Sequence, residues 1–210
     1  MNAAGNYLPP VFIFPRKRMV DSLMANAPID SKGFASSNGW SNSELFVKWL
    51  NHFVECTNAS KANPQIIVLD GHHSHKSLEA IRFAQARGIH LITLPPHCTH
   101  KMHPLDCSYF SSLKAAYNRE ADSWMVANPG KRITVYHIAG LLKSAYLRTG
   151  THEKAIKGFQ KCGLFPYNSE VFSDDDYCAA EVTDEADPAI SNSTFECMPQ
   201  NRFGGLSRNK

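Results

Sequence analysis

Apolar positions along this 210-residue chain fall into short runs with distinct periods. Val11, Phe12, Ile13 and Phe14 are continuous, so Tyr7 to Phe14 predicts a strand that Pro15 ends, after a turn built from Asn2, Gly5 and Asn6. Arg16 to Trp40 is rich in Pro, Gly, Ser and Asn and predicts mostly loop. Leu45, Phe46, Trp49, Leu50, Phe53 and Val54 then repeat at helical spacing. Ser41 and Glu44 before them have capping-box separation, so a helix covering one face of a sheet is expected. Asn58 to Pro64 is a polar linker. Ile66 to Leu69 is wholly apolar and runs into Asp70, the pattern of a buried parallel strand.

Leu78 to Arg87 predicts a second helix, closed by Gly88, and Ile89 to Leu94 a further strand. Pro95-Pro96 forces an extended loop. With Pro104 at its start, one long helix is expected from Leu105 to Ala127, with Leu105, Tyr109, Leu113, Ala116 and Trp124 on its buried side. Asn128-Pro129-Gly130 stops it. Val135, Ile138, Ala139, Leu142 and Tyr146 mark another helix, closed by Gly150, and Ala155, Ile156 and Phe159 a last one, closed by Gly163. Beyond Phe172 the periodicity disappears. The alternation of strands and helices argues an α/β domain over residues 1–172 and a disordered acidic tail over 173–210.

Composition sharpens that division. Up to residue 161 there are 19 Lys and Arg against 10 Asp and Glu, and from 162 onward 3 against 9, so a net charge of +3 conceals a basic body and an acidic end. A basic body suits a nucleic-acid partner, although a solvated surface carries such charge too. Six scattered cysteines without C-x-x-C spacing argue reduced thiols rather than a disulfide scaffold. No apolar run reaches membrane-spanning length, so no membrane partner is expected.

The candidate chemistry lies between Ile66 and Lys114. Asp70 closes a strand, Gly71 turns the chain away, and Asp106 follows in the first turn of the long helix. Strand–helix–strand–helix order can bring both carboxylates to one edge of a parallel sheet, where open α/β sheets place their sites. Two such carboxylates suit Mg²⁺ or Mn²⁺, which prefer hard oxygen ligands and serve phosphodiester chemistry. Spacing alone favours plainer roles, as a turn former and a helix-dipole partner.

The surrounding residues change that balance. Leu69-Asp70-Gly71-His72-His73-Ser74-His75 and Leu94-Pro95-Pro96-His97-Cys98-Thr99-His100-Lys101-Met102-His103-Pro104-Leu105-Asp106 closely resemble the DDE superfamily endonucleases. Within that superfamily they look like the pogo/Tigger/jerky group, to which centromere protein B is related. Asn2 to Asn6, Ile13 to Lys17, Gly39-Trp40, Gly158-Phe159 and Gly163 to Pro166 match in the same order.

The resemblance implies an RNase H-like fold followed by C-terminal helices. It also implies DNA as partner, a nuclear location and Mg²⁺ or Mn²⁺ held by Asp70 and Asp106, with no small-molecule cofactor. Three acidic residues hold the metals in the family, and the first lies on a central strand upstream of the segment matching Asn2 to Pro15. The chain is therefore expected to be N-terminally truncated, to lack its first central strand, and to be inactive alone. Its function would be that of a transposase-derived endonuclease-like domain with ancestral cleavage and strand-transfer chemistry. The alternative is a domesticated, non-catalytic DNA-binding or protein-interaction module.

Seven of the ten histidines fall between His72 and His103. No second ligand pair stands at zinc-finger spacing, although His97, His100 and His103 on one loop could chelate a soft metal. His72 is a candidate phosphate contact two residues after Asp70. Lys101 and Lys114 are candidate DNA contacts, Lys114 because i, i+4, i+8 spacing on one straight helix puts it on the face of Asp106. His103 stands where the family commonly has glutamine and receives no family role.

Overall fold

The computed structural model describes residues 1–95 and 98–173. The tail expected beyond Asp174 and the Pro96-His97 part of the double-proline loop lie outside the described residues.

Four strands form two separate parallel pairs. Strand β1 (Val11–Pro15) pairs with β2 (Lys32–Ser36), Val11 opposite Lys32. Strand β3 (Gln65–Leu69) pairs with β4 (Ile89–Thr93), Gln65 opposite Ile89 and Leu69 opposite Thr93. Among the described residues β1 and β3 do not pair with each other, so each keeps a free edge.

Helix α1 (Ser43–Thr57) lies over the β3–β4 pair together with α2 (Leu78–Ala86). Its buried stripe is the predicted one: Phe46, Leu50 and Phe53 meet Ile67, Leu69, Ala80, Ala84 and Ile89 in one core. The helix is capped by Asn42, whose side chain accepts from the Leu45 N–H, rather than by Ser41. Asn58 adopts positive φ and ends it. The β1–β2 pair has a smaller core of Phe12, Phe14, Leu23 and Ala139, the last from α6 (Ile138–Thr149).

The segment Arg16 to Trp40, expected to be loop, contains β2. Lys32-Gly33-Phe34-Ala35-Ser36 has a single large apolar residue and no strand period. It extends because β1 offers a hydrogen-bonding edge and because Gly33 leaves room for two methionines. A Cβ there would sit 2.4 Å from the Met19 methyl and 2.7 Å from the Met24 sulfur.

Two further expectations are corrected. Ile66 is 66% and Ile92 48% exposed, so β3 is buried on one face and not on both. The long helix is divided into α4 (Pro104–Ser108) and α5 (Phe110–Ala127), with a short α3 (Thr99–Met102) ahead of them inside the expected loop. Tyr109 stands at the break with φ −111° and ψ −53°. Its ring is buried 5.2 Å from that of Tyr7 and 6.3 Å from that of Tyr146. The two segments pack on different neighbours, α4 on α7 (His152–Lys161) and α5 on α6.

Between the half-sheets lies a cavity of about 740 Å³, lined by Val11 and Ile13 from β1, Ile66 and Val68 from β3, and Trp49 and Phe53 from α1. The period-two alternation of β1 explains its share: Phe12 and Phe14 face the small core, so Val11 and Ile13 face the opening.

Candidate functional site

Strand β3 delivers Asp70 to the carboxyl end of a parallel pair, and Gly71 sits beyond it, where an added Cβ would stand 3.9 Å from the Leu94 carbonyl oxygen. The carboxylate is half-buried and locally clamped. Its Oδ1 accepts the His72 backbone N–H at 3.1 Å and the His75 Nδ1–H at 3.0 Å. The same nitrogen lies 3.5 Å from the Asp70 carbonyl. With Nδ1 donating, His75 keeps its proton there and turns its Nε2 lone pair away from the carboxylate. The imidazole packs 4.4 Å from the Phe46 ring. Burial pushes its pKa below the ordinary histidine range, against the raising effects of the Asp70 carbonyl and carboxylate.

Asp106 comes from α4, which follows β4 by way of α3. Pro104 occupies the first turn of α4, as its missing N–H allows, and Asp106 sits in the same turn. Its Oδ2 accepts from His103 Nδ1 at 3.1 Å. The two aspartates are thus held alike, each by a histidine Nδ1–H on one oxygen. Asp70, His75 and His103 line one cavity, and Asp106 is joined to it through His103. Among the described residues, no three His, Cys, Asp or Glu side chains converge as a metal cluster.

The other candidates have more local contacts. His72 Nδ1 meets the Ser74 hydroxyl at 2.7 Å and accepts the Ser74 N–H at 3.3 Å, capping a short 3₁₀ turn. That fixes its remaining proton on Nε2, a donor suited to an oxyanion. Lys101 lies on α3, where its backbone carbonyl accepts thiol hydrogens from both Cys107 (2.9 Å) and Cys162 (3.3 Å). Lys114 is exposed on α5, beyond the Tyr109 break. The straight i, i+8 register from Asp106 is therefore corrected, because a non-ideal residue intervenes. His75 is a site residue that sequence reasoning passed over, and His103, read there only as a possible soft-metal ligand, holds Asp106 instead. Their signal was position: His75 is five residues after Asp70, and His103 precedes the proline that opens the Asp106 helix.

The sequence matches the DDE superfamily endonuclease family over residues 1–156. The chain belongs to that family. A curated protein described as the MFS-type transporter clz9 of Cochliobolus lunatus is 30% identical over 173 residues, which is 81% of this chain. The chain spans 19% of that relative's length. No solved structure matches. Among the described residues of this endonuclease-family chain, no helix is long and apolar enough to cross a membrane.

The donor chemistry fits a hard divalent cation. Asp70 and Asp106 each keep one carboxylate oxygen outside the histidine contacts, and oxygen donors of this kind are what Mg²⁺ and Mn²⁺ take.

Proposed function

We propose that this chain is a DNA-binding DDE endonuclease-like domain of the pogo/Tigger/jerky type, working in the nucleus on an RNase H-like scaffold. Asp70 and Asp106 hold Mg²⁺ or Mn²⁺, which when bound supplies Lewis-acid stabilisation for phosphodiester cleavage. The residues around them orient the carboxylates: His75 fixes Asp70, and His103 fixes Asp106. His72 Nε2–H and Lys101 serve the phosphate, and Lys114 the DNA backbone further along α5. What supports this reading is that Asp70 and Asp106 each accept from a histidine Nδ1, and that Asp70 and both of those histidines, His75 and His103, line one cavity.

Two carboxylates are one fewer than the family employs, so the chain alone binds cations weakly and does not cleave or transfer strands.

The test has two arms. Calorimetric titration with Mn²⁺ is expected to show binding that Asp70→Asn and Asp106→Asn each weaken by at least about tenfold. Unchanged affinity in both variants removes the site. Incubation of the chain with supercoiled plasmid and Mg²⁺ is expected to give no nicking. Nicking that Asp106→Ala abolishes overturns the inactivity. A mobility-shift assay on duplex DNA is expected to show binding at low salt that fades as salt rises; no shift at low salt removes the DNA partner.

A further inference from the structure

We propose that Cys107 and Cys162 are a redox modification site, forming a reversible disulfide that clips α4 to α7. Their sulfurs lie 3.4 Å apart, and both thiols point at the Lys101 carbonyl. Among the described residues this is the one cysteine pair in sulfur contact; Cys56 is exposed beside His52, and Cys98 is buried without a thiol neighbour.

The approach is built into the helix packing. Gly158 of α7 lies so close to α4 that a Cβ there would stand 2.4 Å from the Ser108 hydroxyl and 2.9 Å from the Pro104 carbonyl oxygen. Only a residue without a side chain allows this, and it brings Cys162, at the end of α7, over Cys107. A disulfide has an S–S length of about 2.05 Å, so closure asks the sulfurs to move together by roughly 1.4 Å.

The two thiols differ in access. Cys107 is half-buried, whereas Cys162 is 4% exposed and its pKa is pushed up to about 12, chiefly by burial. A hydroperoxide therefore meets Cys107 first. Its sulfur attacks the O–O bond, giving a sulfenic acid and releasing an alcohol or water. The Cys162 sulfur then displaces hydroxide from that sulfenic acid, and its proton leaves with the hydroxide as water. The net change is two thiols and one hydroperoxide to one disulfide, one water and one alcohol or second water.

Cys107 is covalently next to Asp106, so closure turns the helix that carries this aspartate. That consequence rests on the metal reading above; the disulfide itself does not.

The full chain is treated with hydrogen peroxide and unfolded under acid. Free thiols are expected to fall from six to four, with a mass loss of about 2 Da and a Cys107–Cys162 link in tandem mass spectra, all reversed by dithiothreitol. Cys107→Ser and Cys162→Ser abolish the link, and Cys56→Ser leaves it. A different pairing, or oxidation of Cys107 to sulfinic acid without a link, overturns the proposal. Should the serine variants not fold, the link map of the unsubstituted chain still decides. Mn²⁺ titration of the oxidised chain is expected to show affinity about tenfold weaker than the reduced chain. Equal affinity in both forms sinks the coupling to Asp106, whereas no Mn²⁺ binding by the reduced chain sinks the metal reading and leaves the disulfide standing.

Discussion

The two half-sheets of this protein are built alike and stabilised differently. Each is a pair of five-residue parallel strands. The β3–β4 pair rests on a core to which α1 and α2 contribute Phe46, Leu50, Phe53, Ala80 and Ala84, and it carries Asp70 at its end. The β1–β2 pair rests on a smaller core of Phe12, Phe14, Leu23 and Ala139, with Met19, Met24, Ala27, Val135 and Leu142 packed around it. Contacts between the halves include His52 Nε2 with the Pro9 carbonyl at 2.9 Å, Lys32 with Glu55 at 3.2 Å, and Leu8 packed against the larger core. The larger apolar core lies under the half that carries Asp70. Its companion closes the other side of the cavity.

Substitutions can break or sharpen this contrast. Leu50 is fully buried in the larger core, so Leu50→Ala is expected to cost about 3 kcal/mol. Hydrogen exchange should show β3 and β4 amides losing roughly two orders of magnitude of protection, and β1 and β2 amides less. Equal loss in both pairs would show one cooperative unit and erase the contrast.

Gly158→Ala comes next, at about 2 kcal/mol, because the new methyl meets the Pro104 backbone as well as a movable hydroxyl. A lower thermal midpoint is expected, together with slower Cys107–Cys162 closure by peroxide. An unchanged midpoint would mean that α7 does not press on α4.

A smaller effect concerns pH. Burial lowers the folded-state pKa of His75, so its unfolded form binds a proton more readily. Its neutral form therefore contributes stability that is present above the unfolded value near 6.5 and is lost as pH falls through the lower folded value. Urea midpoints measured between pH 7.5 and 5 should fall less steeply in His75→Gln than in the unsubstituted chain. Parallel slopes would remove His75 from the account.

The smallest effect is expected at Lys48→Ala. It deletes an exposed i, i+4 pair with Glu44 at 2.7 Å, which solvent screens. No resolvable change in the thermal midpoint is expected, and a clear drop would place weight on the surface of α1 that its core contacts do not require.

The sequence by itself determined the elements whose signal is local. The α1 stripe, the apolar run into Asp70, Gly88 after α2 and Pro104 at the head of α4 were all legible, because each depends on a residue's own conformational preference or on a period along one element. It also marked Asp70 and Asp106, through the motifs around them.

Tertiary structure alone decided the rest. Strand β2 exists because β1 lends it an edge and two methionines fill the space over Gly33. The break at Tyr109 follows from α4 and α5 packing on different helices, and the exposed face of β3 from the gap beside it. The Cys107–Cys162 contact belongs to this class as well, because it depends on a distant part of the chain being brought within reach, which no period along the chain encodes.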